Sequence, residues 1–130
     1  MKKLDSPSAV QVLEVLSDRA SVDIMNAVAE NVSDSGNIRE LLGLTSKEYY
    51  MRHSRLLKTG IIKRKNAKLT LTAFGQLIYQ ALLKIASAFR HSRELMVIDA
   101  IKSTAGMPNN EQKDVIDNLM LDDEIKKLFS

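Results

Sequence analysis

Residues 43–75 read GLTSKEYYMRHSRLLKTGIIKRKNAKLTLTAFG, and the order of turn, helix, hairpin and helix start within that stretch decides the fold. Gly43 is placed to close a preceding helix, since a left-handed residue is cheap only for glycine. Ser46 offers a capping hydroxyl. Tyr49, His53, Leu56 and Leu57 then follow at i, i+4, i+7 and i+8, the stripe of a helix with one buried face that runs to about residue 59. Gly60 ends it. Ile61 and Ile62 begin a short strand, Asn66 and Ala67 form a tip, and Leu69-Thr70-Leu71 returns. Thr72 opens a further helix whose apolar residues are Phe74, Leu77, Ile78, Ala81, Leu82, Ile85 and Phe89.

The same stretch holds the positive charge. Between residues 46 and 68, Lys47, Arg52, Arg55, Lys58, Lys63, Arg64, Lys65 and Lys68 face a single acid, Glu48, in a chain whose total is only +3. The segments on either side are net acidic. A chain that gathers its cations on one helix and one hairpin is suited to an anion, and a polyphosphate backbone is the commonest one.

Upstream, Ser6-Pro7 marks a helix start, and Ala9, Val12, Leu13 and Leu16 share its inward face. Ser17-Asp18-Arg19 interrupts before a second helix that turns Val22, Met25, Val28 and Ala29 inward. After the loop at Ser33-Asp34-Ser35-Gly36, Asn37 and Glu40 resemble a capping box over a short helix that buries Ile38, Leu41 and Leu42. Downstream, Arg90-His91-Ser92 is a kink or break before Leu95, Ile98 and Ile101. Residues 104–108 are the clearest linker. Val115, Ile116, Leu119 and Met120 define another short helix, and Asp122-Asp123-Glu124 followed by Lys126-Lys127 has the charge order a helix dipole favours. The expected organisation is a domain over residues 1–90 and a helical extension over residues 91–130.

Composition narrows the function classes. The 130 residues suffice for one cored domain with a small appendage. No apolar run approaches the roughly 20 residues of a membrane span, and Met1-Lys2-Lys3-Leu4-Asp5 lacks the apolar core of a signal peptide. Cysteine is absent, which excludes disulfides, thiolate metal sites and thiol catalysis and points to the cytoplasm. Five glycines, two histidines and no tryptophan leave no phosphate-binding glycine loop, no histidine pair on a helix and no stacking platform for single strands. Neither an enzyme, a cofactor nor a metal is expected. His53 stands in the inward stripe and reads as a core histidine bonded to backbone; His91 reads as a helix-end residue.

Leu44-Thr45-Ser46, a helix, and Leu56-Leu57-Lys58-Thr59-Gly60-Ile61-Ile62 resemble the helix-turn-helix and strand entry of winged-helix transcription regulators of the ArsR/MarR type. Leu13-Glu14-Val15-Leu16-Ser17-Asp18-Arg19-Ala20 resembles the helix junction opening ArsR-type domains, and Leu69-Thr70-Leu71-Thr72-Ala73-Phe74-Gly75 resembles a wing strand feeding the next helix. The resemblance covers roughly residues 13–83. It implies a prokaryotic, possibly archaeal, protein, although the metal-binding cysteines of ArsR proteins have no counterpart here. The fold it implies is mainly α with a small β-hairpin: a winged helix-turn-helix domain plus a helical C-terminal extension.

The function it implies is a double-stranded-DNA-binding transcription regulator of the cytoplasm, associated with the nucleoid and acting as a homodimer. The helix at about 46–59 would enter the major groove with Ser46, Lys47, Tyr50, Met51 and Ser54 toward bases. The wing at about 61–71 would bring Lys63, Arg64, Lys65 and Lys68 to the backbone or minor groove. One of Arg52 and Arg55 could bind phosphate, but Arg55 could instead pair with Glu40 or Glu48. Leu77, Leu82 and Phe89, with Leu95 and Ile98, exceed what a small core covers, so a second copy, the folded-back C-terminal segment, or both together must cover them. Two other functions share the pattern: a winged helix whose basic ribbon meets RNA or an acidic protein, and a chromatin-like, sequence-independent DNA binder.

Overall fold

The helical periodicity of the sequence becomes eight helices and a hairpin among the residues that the computed structural model describes, 7–104, 106–119 and 122–129. The order is α1 (Pro7–Leu16), α2 (Arg19–Ala29), α3 (Ser35–Leu42), α4 (Ser46–Lys58), β1 (Ile62–Lys65), β2 (Lys68–Leu71), α5 (Ala73–Arg90), α6 (Ser92–Lys102), α7 (Asn109–Asp117) and α8 (Asp123–Phe129). With 72% of the chain helical and one antiparallel pair of strands, the protein is mainly α with a small hairpin. No helix among the described residues is long and apolar enough to cross a membrane.

Two compact units divide inside α5, Met1–Ala81 and Leu82–Ser130. The first unit buries Val12 and Val15 of α1, Ile24, Met25 and Val28 of α2, and Ile38 of α3. Against these lie Tyr49 and Leu56 of α4 and, from the hairpin and its entry, Ile61, Ile62 and Leu69. Leu13 and Leu41, expected inside, are exposed. In α1 the buried pair is Val12 and Val15, one turn apart, so Leu13 falls on the solvent side.

The helix ends are fixed locally, in places by residues other than those expected. Asp34, not Asn37, caps α3 by accepting from the Gly36 and Asn37 amides, and the helix starts at Ser35. Thr45, not Ser46, caps α4 through the Glu48 amide. At the far end of α4 the Gly60 and Ile61 amides return to the Leu57 and Leu56 carbonyls, a closure that requires Gly60 at φ 77°.

The hairpin pairs Ile62 with Leu71, Lys63 with Thr70, Arg64 with Leu69 and Lys65 with Lys68. Asn66 and Ala67 form the two-residue turn with φ 52° and 64°, the doubly left-handed geometry that suits the twist of a hairpin. Leu69 also donates to the Ser33 carbonyl at 2.9 Å, tying the hairpin to the α2–α3 loop.

The second unit has its own core of Ile98, Ile116 and Ile125, with Leu95, Leu119 and Phe129 packed around it. Met120 lies outside the described residues. Asp122 ties this unit together: the Ser87 hydroxyl donates to its carboxylate, Arg90 Nη2 lies at 3.5 Å and His91 Nε2 at 3.4 Å. The Ser87 bond, followed by His91 and Arg90, holds the Asp122 pKa below the usual carboxylate value. An apolar pocket of about 320 Å³ opens between α5, α6 and α8, walled by Ile85, Ala88, Leu95 and Leu128.

Candidate nucleic-acid interface

Helix α4 has two faces with different chemistry. Tyr49, His53 and Leu56 are buried, and opposite them Lys47, Tyr50, Met51, Ser54 and Lys58 are exposed. All the residues expected to face bases except Ser46 therefore share one outward strip. Ser46 is turned aside: its hydroxyl accepts from Arg39 Nη1 at 2.5 Å. Arg39 adds a cation of α3 to the start of α4. The charge pattern does not reveal it, because the basic stretch begins later; the tight turn after Gly43 is the only sequence signal that brings it back.

The ambiguity between the two arginines of α4 is resolved by Asp18, which neither periodicity nor charge order singles out. Arg52 Nε donates to Asp18 Oδ2 at 2.5 Å, and its Nη1 donates to the Glu48 carbonyl at 2.9 Å. Asp18 is at the same time the cap of α2, accepting from the Ser21 amide and hydroxyl. The Arg52 bond, supplemented by those from Ser21, holds the Asp18 pKa below its ordinary value, and the same bond raises that of Arg52. Arg52 is thus spent on fixing α4 to α2 and is not free for phosphate. Arg55 takes neither Glu40 nor Glu48 as an ion-pair partner among the described residues. It lines an open cleft of about 450 Å³ with Gln11, Glu14, Val15, Lys58 and Thr59.

The hairpin also divides its charges. Alternation along β1 puts Lys63 and Lys65 on one face and Arg64 on the other with Ile62. Lys68 lies directly opposite Lys65. Like charges opposed across a hairpin repel, so this face is stabilised when an anion meets it. Arg64 instead turns toward α4, where its Nη2 lies 3.4 Å from His53 Nε2. Burial first, and the Arg64 charge second, lower the His53 pKa, which keeps the ring neutral and able to accept from the guanidinium. His53 is buried as expected, but Arg64 and aromatic rings, rather than backbone, are its neighbours. Tyr49 stacks on it at 5.5 Å between centroids and Tyr50 meets it edge-on at 6.0 Å.

The base of the hairpin is locked to α5. The Thr72 amide donates to the Ile61 carbonyl at 3.1 Å, and the Thr72 hydroxyl bonds the Gly60 carbonyl and accepts from the Gly75 amide. Gly75 packs so closely that a Cβ there would lie 2.0 Å from the Ile61 carbonyl oxygen. That is why the helix after the hairpin carries a glycine in its first turn.

Of the residues expected at a second-copy interface, Leu77 and Phe89 are exposed, Leu82 and Leu95 are half-buried, and Ile98 is 1% exposed within the core of its own unit. The C-terminal helices therefore cover Ile98, leaving it no part in an outer contact. No group of three or more His, Asp or Glu able to hold a metal occurs among the described residues. No protein family, curated protein or solved structure gives a significant match to this chain.

Proposed function

We propose that the protein is a winged helix-turn-helix transcription regulator that binds double-stranded DNA as a homodimer. In this reading α4 is the recognition helix and the hairpin is the wing. The observation that carries it is the set of uncompensated cations on two adjoining elements: Lys47 and Lys58 on the outer strip of α4, and Lys63, Lys65 and Lys68 on one face of the hairpin. None of these five lysines has an ion-pair partner among the described residues, although Glu48 adjoins Lys47 and Glu14 shares a cleft with Lys58. Two such helices related by a two-fold axis would meet successive major grooves about 34 Å apart and read a palindrome. The resemblance to ArsR/MarR regulators supports the same assignment.

A second reading, the sequence-independent DNA binder, draws support from the outer strip of α4, which holds no Asn, Gln or unpaired Arg for bidentate base contacts.

Fluorescence anisotropy with a labelled random duplex, titrated over a salt series, tests the proposal. Binding should weaken steeply with salt. Replacing Lys63, Lys65 and Lys68 together by Ala should reduce the slope by about one unit for each phosphate no longer neutralised, while the circular dichroism stays unchanged. No binding at low salt, or an unchanged slope in the variant, would refute the role given to the hairpin.

A further inference from the structure

We infer that the duplex this protein prefers is A·T-rich, and that Tyr50 and Met51 read it through the C5-methyl groups of thymine. The inference rests on the DNA-binding reading and deepens it. The outer strip of α4 is chemically unusual for a surface flanked by lysines. Its middle carries two large apolar side chains that stay about half open, Tyr50 at 50% and Met51 at 44% exposure.

Tyr50 is also held in place. Its ring packs edge-on against Tyr49 at 5.0 Å and against His53 at 6.0 Å, and both partners are buried. A surface tyrosine fixed on two sides presents a set ring edge and hydroxyl, so less freedom is lost when a partner covers it.

The major groove decides which partner fits. Thymine alone presents an apolar group there, its C5-methyl; a G·C pair presents N7, O6 and an amino group. Seating a thioether and the carbons of a phenol ring over G·C would strip water from those polar edges, and Met51 has no donor to offer N7 and O6 in its place. Over A·T the same side chains cover methyls. Lys47 and Lys58, at the two ends of the strip, lie where phosphates flank the groove. The strip presents no free arginine for guanine, since Arg52 is bound to Asp18 and Arg55 lies at the cleft beside α1, and its two lysines stand at its ends rather than in its middle.

The test uses the full chain and four duplexes of equal length at one salt concentration: A·T-rich DNA, the same sequence with every thymine replaced by uracil, G·C-rich DNA, and the G·C duplex with every cytosine methylated at C5. Uracil removes only the methyl; 5-methylcytosine restores one at the same place in the groove. The affinity should fall by about fourfold for each methyl contacted when thymine becomes uracil. It should rise when the G·C duplex is methylated. Met51→Ala and Tyr50→Ala, both at exposed positions, should bring the thymine-to-uracil ratio toward one, whatever each does to affinity for the uracil duplex. Equal binding of the thymine and uracil duplexes by the wild-type protein overturns the inference but leaves DNA binding intact. If none of the duplexes binds, the DNA reading itself fails.

Discussion

Replacing Gly75 by Ala measures how tightly the start of α5 is fitted to the base of the hairpin. The added methyl would lie 2.0 Å from the Ile61 carbonyl oxygen and 3.0 Å from its carbon. An ordinary carbon–oxygen approach needs about 3.3 Å, so helix and hairpin base must separate by more than about 1 Å. Both obstructing atoms are backbone, and no side-chain rotation relieves the overlap. The separation breaks the Thr72-to-Ile61 backbone bond and loosens the Thr72 hydroxyl bridge to Gly60. Breaking one hydrogen bond costs about 1 kcal/mol and overpacking about 1–3 kcal/mol. Alanine's better helix propensity returns about 1 kcal/mol. The expected net loss is about 1–3 kcal/mol, read as a lower urea midpoint at unchanged slope by circular dichroism. Gly36→Ala is the control: it meets only the capping Asp34 carboxylate at 3.1 Å, an overlap that a shift of a few tenths of an ångström relieves without giving up the cap, and should change stability by less than about 1 kcal/mol. A Gly75→Ala protein as stable as Gly36→Ala would refute the argument.

Three further outcomes are expected. Asp18 has a depressed pKa, so the stability it contributes is present above its usual value of 3.8 and is lost as the pH falls through its lower folded value. Asp18→Asn, which keeps a capping oxygen, should therefore cost about 1 kcal/mol at neutral pH, with the difference from wild type closing as the pH falls below the lowered folded value; a gap that persists in acid would contradict the ion-pair account. Ala67→Gly relieves a left-handed alanine at φ 64° and should raise stability by about 0.5–1 kcal/mol, an effect that thermal melting would resolve and that a destabilised variant would disprove. Phe89, 84% exposed, is the most open large apolar residue of α5, and Phe89→Glu should convert the proposed dimer to a monomer with its fold retained. Light scattering over a concentration series measures this, and a wild-type protein that is monomeric well above its DNA-binding concentrations removes the dimer from the proposal.

The order of helices, the hairpin with its tip at Asn66-Ala67, and the grouping of cations were legible in the sequence. Each rests on interactions within a few residues: amide-to-carbonyl ladders, periodic apolar faces, left-handed caps. Even where the structure differs at helix ends the shift is local, Thr45 taking the cap of α4 from Ser46 and Asp34 that of α3 from Asn37. What only the tertiary structure decided is the fate of individual charges and close approaches. Arg52 and Arg55 look equivalent in sequence, and only the folded chain brings Asp18 to one of them. Arg64 is one of four basic residues at the hairpin, yet strand alternation turns it from the lysines toward His53. Ile98 reads as surplus apolar surface until Ile116 and Ile125, far along the chain, enclose it. Gly75 is an ordinary helical glycine until the Ile61 carbonyl arrives above it. Side-chain type sets what a residue can do, but a pairing between distant residues depends on the packing of every element between them, and no local pattern encodes that.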